Sequence, residues 1–75
     1  SRASWELNLY DDIADAMAEA AREVDVPIRW GAAWHISNIA QFEGTMEDAM
    51  NEYVDTRRTQ GRRPFIDGPH FEAMV

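Results

Sequence analysis

Asp67 and His70 stand three residues apart in the run Phe65-Ile66-Asp67-Gly68-Pro69-His70-Phe71-Glu72, a carboxylate and an imidazole separated by a turn-forming Gly-Pro pair. A neutral imidazole is a ligand for Zn²⁺, and a neighbouring carboxylate that does not ligate can take the proton from a zinc-activated water. The pair is therefore half of a zinc-hydrolase site. Three extended residues span up to about 10 Å, so the two groups meet only if the chain folds back between them, and Gly68-Pro69 supplies that turn. Glu72 alternates onto the same strand face as His70, where it can hold an outer position behind the ligand.

Composition narrows the chemistry. The chain has 75 residues, enough for one small domain near the size at which a core alone becomes marginal. It contains no cysteine, which removes disulfides, thiolate nucleophiles and cysteine zinc sites and leaves His and carboxylates as ligands. Fourteen acidic against seven basic residues give a net charge of -7, which argues against nucleic acid or an anionic membrane as a partner. All seven cations are Arg. No apolar stretch reaches the roughly 18 residues of a membrane span, and no signal-peptide pattern is visible. With Ser1 at its start and Trp5 close behind, the chain reads as part of something longer.

The elements that must position Asp67 and His70 follow from periodicity. Asn8 is a candidate cap for a helix over residues 9–23, with Asp11 at its third position and Leu9, Ile13, Met17, Ala20, Ala21 and Val24 on the apolar face. Asp12, Asp15, Glu19 and Glu23 form its solvated side, and Asp25-Val26-Pro27 ends it. Ile28-Arg29-Trp30 alternates as a short strand closed by Gly31. Thr45 with Asp48 opens a second helix whose core stripe is Met46, Met50, Tyr53 and Val54, shared with Arg57, and Gly61 terminates it. His70-Phe71-Glu72 is the last strand. The fold class expected is α+β, two helices packed on a small antiparallel sheet that joins the strands around residues 28–30 and 70–72.

Three stretches carry a family resemblance: Ala20-Ala21-Arg22-Glu23-Val24-Asp25-Val26-Pro27-Ile28, Trp30-Gly31-Ala32-Ala33-Trp34 and Asp67-Gly68-Pro69-His70-Phe71-Glu72. Together they resemble the C-terminal half of the zinc D-alanyl-D-alanine carboxypeptidase and L-alanyl-D-glutamate endopeptidase family. These peptidases, many of them phage endolysins, cut the stem peptides of peptidoglycan at the cell wall. Trp5 and Tyr10 also fall where that family often has aromatics. The resemblance implies a zinc metallopeptidase in which Asp67 is the general base, His70 one zinc ligand, Trp30 and Trp34 walls of the substrate cleft, and Glu72 a support behind the metal. It further implies that residues 1–75 are a single partial domain, with the missing N-terminal half of the domain or a partner chain completing the site.

Departures from the family pattern are specific. Its other two ligands lie in an upstream S-x-H-x-x-G-x-A-x-D motif that this sequence lacks, Ala32-Ala33 stand where Gly-Asp is common, and residues 35–66 form an insertion that could lid the cleft. His35 is a weaker candidate for a second ligand. Arg57, Arg58, Arg62 and Arg63 make a basic patch suited either to a substrate carboxylate or simply to the helix end. The rival reading is a non-catalytic acidic helical module that binds a protein through its Met and aromatic residues.

Overall fold

The computed structural model describes the backbone of residues 2–74 and the side chains of residues 7–74. Its elements run α1 (Arg2–Val24), β1 (Ile28–Trp30), a 3₁₀ turn (Ile39–Gln41), α2 (Met46–Thr59) and β2 (Phe71–Ala73). β1 and β2 pair antiparallel, with Ile28 opposite Ala73, Arg29 opposite Glu72 and Trp30 opposite Phe71. The α+β architecture expected from the sequence, two helices and a small antiparallel sheet, is the one found.

α1 starts earlier and faces differently than its apolar periodicity indicates. Asn8 is inside the helix rather than capping it. Leu9, Ile13, Met17 and Val24 are 37–67% exposed, whereas Ala14, Ala18 and Ala21 are buried together with Asp11. Of the expected apolar face only Ala21 is in the core; Ala20 is exposed. The reason is steric. Three alanines in register let the helix backbone approach its neighbours closely, while the bulkier Leu9, Ile13, Met17 and Val24 face outward. The packing of Trp5 lies outside the described side chains.

The ends of the helices follow local chemistry. Asp25 adopts φ 55° after α1, the Val26 N–H reaches Ala21 O at 3.0 Å and the Asp25 N–H reaches Arg22 O at 3.3 Å, which is the Schellman closure. Pro27 then prevents continuation. At α2 the Thr45 hydroxyl accepts from the Asp48 N–H and the Asp48 carboxylate accepts from the Thr45 N–H, the capping box expected from the sequence. The Arg62 N–H closes the other end on Arg57 O at 2.8 Å, with Gly61 at the left-handed position.

Trp30, Ile39 and Met46 are the largest fully buried side chains, and each contributes about 1.5–3 kcal/mol by leaving water. Ile39, Ala40, Met46, Ala49 and Met50 share one core cluster with Ala14, Ala18 and Trp30, and Tyr53 is buried as well. Residues 35–66, expected to be an insertion able to lid a cleft, contribute Ile39, Ala40, Met46, Ala49 and Met50 to that core. Asp15 ties α2 to α1 by accepting the Met46 N–H at 2.8 Å, and Arg22 donates to Ala40 O at 3.3 Å.

Candidate functional site

The turn at residues 67–70 is fixed from below by β1. The Asp67 N–H donates to Gly31 O at 2.9 Å, the Gly31 N–H donates to His70 O at 2.8 Å, and the His70 N–H closes the turn on Asp67 O at 3.0 Å. These bonds require the backbones to touch. A Cβ on Gly31 would overlap the Asp67 carbonyl oxygen and lie 2.9 Å from His70 Cβ, so only glycine lets the turn sit there. Gly68 is similarly confined, since a Cβ there would stand 2.8 Å from the Tyr10 ring. The Trp30 indole N–H donates to Gly68 O at 2.7 Å.

Trp30 is thus a structural bolt. Its ring is fully buried and stacks on Phe71 at 6.2 Å, so it cannot wall a substrate cleft as the family resemblance implied. Burying an indole N–H requires an acceptor, and the turn carbonyl supplies it.

The opposite face of the sheet carries Glu72 and His70. His70 Nε2 meets Glu72 Oε1 at 2.7 Å, and His70 Nδ1 lies 3.9 Å from Asp67 Oδ2, too long for a hydrogen bond. In a neutral ring, a carboxylate accepting at Nε2 favours the tautomer protonated there, whose Nδ1 lone pair lies on the side of Asp67. Asp67, His70 and Glu72, singled out as base, ligand and support, are therefore brought together. The Trp34 ring packs on His70 at 5.2 Å, tilted by 48°. Arg29, across the sheet from Glu72, donates to Trp34 O at 2.8 Å and places its guanidinium 5.4 Å from the centre of the Trp34 ring.

His35 does not join this group. Its Nε2 meets Glu52 on α2 at 2.9 Å, and its ring stacks on Tyr53 at 5.7 Å. Among the described residues no set of three or more His, Cys, Asp or Glu side chains is arranged to hold a metal ion. The basic patch separates into roles: Arg57 donates twice to Arg63 O, at 3.2 and 3.0 Å, while Arg58, Arg62 and Arg63 are exposed.

Two features had weak sequence signals. Gly31 reads as a strand terminator, and nothing local reveals that it must admit the residue 67–70 turn. Asp11 reads as a first-turn acid, yet it is 4% exposed with both carboxylate oxygens lacking a hydrogen-bond partner among the described residues. Burial pushes its pKa up from 3.8 to about 6, with Glu47, Asp15 and Asp12 adding to the rise. Its register with Ala14 and Ala18 was the available clue.

No known protein family, curated protein or solved structure matches the chain in any of the three comparisons. No described helix is long and apolar enough to cross a membrane.

Proposed function

We propose that the chain contributes the general base and one zinc ligand to a zinc peptidase acting on peptidoglycan stem peptides. One observation supports this most: Glu72 engages His70 Nε2 at 2.7 Å, so the free nitrogen of the ring is Nδ1, beside the Asp67 carboxylate. In protein metal sites a ligating histidine usually gives its other ring N–H to a carboxylate, carbonyl or water, which fixes the tautomer and orients the ring. The donor set suits zinc, and two further ligands from outside the described residues are required for a catalytic site with one open position. When bound, zinc would make a water acidic enough to attack at neutral pH and would polarise the scissile carbonyl.

The protein's own residues have separable tasks. His70 Nδ1 is the donor, and Glu72 keeps the proton on Nε2. Asp67 accepts the proton of the attacking water and returns it to the leaving amine. Gly31 and Trp30 hold the turn that sets the spacing of Asp67 and His70. Trp34 lies against His70 and offers an aromatic wall to a peptide. The family resemblance of residues 20–34 and 67–72 supplies the substrate class.

The test is cleavage of purified peptidoglycan by the natural protein that carries this chain, with zinc content measured in parallel. Asp67→Ala is expected to abolish cleavage with zinc retained, and His70→Ala to lower zinc content. Cleavage at the wild-type rate by either variant would end the proposal.

A second reading draws on the exposed stripe of Leu9, Ile13, Met17 and Val24 along α1. It favours a non-catalytic module that docks a protein partner through that face. Zinc separates the two readings, since only the peptidase needs His70 Nδ1 free.

A further inference from the structure

Against Trp34, whose ring also packs on His70, lies a cleft of about 220 Å³ lined by Trp34, His35, Tyr53, Thr56, Arg57 and Gln60. Sites for drug-sized ligands run to about 300–1,000 Å³, so this one admits a single residue-sized group. Its chemistry is that of an anion site with an aromatic wall. The Arg57 guanidinium sits 6.0 Å from the centre of the Tyr53 ring. Its Nε and Nη2 both donate to Arg63 O, which fixes its plane and leaves three of its five N–H groups without a partner among the described residues.

The neighbouring acid is already engaged. Glu52 meets His35 at 2.9 Å, and the Tyr53 hydroxyl accepts the Phe65 N–H at 3.1 Å. Arg58, Arg62 and Arg63 follow at the same end of α2, making this region cationic in a chain whose net charge is -7. Thr56 and Gln60 offer neutral hydrogen-bonding groups along the wall. One fixed guanidinium with no second cation in the lining among the described residues suits a singly charged carboxylate better than a dianion.

We propose that this cleft is a subsite for a carboxylate-bearing residue of the substrate peptide, with Arg57 as the carboxylate partner. Trp34 is the wall common to the subsite and to the Asp67–His70 turn, so one extended peptide can occupy both. The identity of that peptide rests on the peptidase proposed above; the carboxylate preference rests on the cleft.

The experiment follows the ¹⁵N-labelled chain by NMR, without zinc, while a synthetic stem peptide with free carboxylates is added, and repeats the titration with the same peptide fully amidated. Saturable shifts of the Trp34 indole N–H and the Gln60 side-chain amide are expected. Amidation should weaken binding about tenfold or more, the value of a charge-assisted hydrogen bond, and Arg57→Gln should do the same. Glu19→Gln, at an exposed position of α1, should leave binding unchanged. If Arg57→Gln disturbs the turn at Arg63, the amidated peptide on the wild-type chain poses the same question without a substitution. Equal affinity for the amidated peptide, or no saturable shift at these residues up to millimolar peptide, would overturn the subsite. Loss of peptidoglycan cleavage as a property of the natural protein would instead end the peptidase reading and leave carboxylate binding in place.

Discussion

Asp11→Asn should stabilise the protein at pH 8 and do little at pH 4. The Asp11 carboxyl is 4% exposed, neither oxygen has a partner among the described residues, and its pKa is about 6 against an ordinary 3.8. An acid whose pKa is raised by folding binds more protons in the native state than in the unfolded state, so stability falls as pH rises from about 4 to about 6. Above that window the penalty is complete. A shift of about 2 units at about 1.4 kcal/mol each gives roughly 3 kcal/mol, and relaxation around the charge brings the expectation to about 1–3 kcal/mol. Asparagine mimics the protonated acid in shape, so the cost of burying unpartnered polar atoms is common to both and cancels. Urea unfolding of the two proteins at pH 4, 5, 6 and 8 measures the difference. The gain should grow through pH 5–6 and level off, with a rise in Tm on the order of 10 °C at pH 8. A difference independent of pH would refute the reasoning, because burial of the charge would then not be what strains Asp11.

Three further outcomes test the packing. Gly31→Ala should cost about 2–3 kcal/mol and displace the 67–70 turn, read as shifted His70 resonances and loss of the Trp30 indole N–H bond to Gly68. Ala18→Leu, at a position 2% exposed, should destabilise by about 1–3 kcal/mol, while Ile13→Ser, at a position 42% exposed, should cost under about 0.5 kcal/mol in denaturant titrations. Equal costs would restore the face indicated by apolar periodicity. Trp30→Phe leaves a smaller aromatic ring with a cavity beside it and strands the buried Gly68 carbonyl, and should lower stability by about 2–4 kcal/mol with faster hydrogen exchange at the His70 amide.

What the sequence revealed divides along a physical line. Local rules were legible: the Thr45–Asp48 box, the stop at Pro27, the glycine after α2 and the alternation that marks Ile28–Trp30 as a strand and His70–Glu72 as another, found one residue later at Phe71–Ala73. Each depends on neighbours within a few residues. The buried face of α1 was not legible, because hydrophobic periodicity weighs side-chain size and close packing rewards smallness; Ala14, Ala18 and Ala21 prevailed over Leu9, Ile13 and Met17. In the candidate site, the turn and the strand alternation made the nearness of Asp67, His70 and Glu72 legible, while their roles came from the family resemblance. The parts that position them, Gly31 and Trp30, act across 36 to 39 residues of chain, a relation that only the fold creates.

The state of the His70 ring tests the central claim most directly. Long-range ¹H–¹⁵N correlation spectra of the chain at pH 8, recorded before and during addition of zinc, report each imidazole nitrogen separately. His70 should be protonated at Nε2, facing Glu72, and zinc should shift Nδ1 of His70 while leaving both nitrogens of His35 unmoved. A proton on His70 Nδ1, or a zinc response confined to His35, would contradict the assignment of this turn as half of a zinc site.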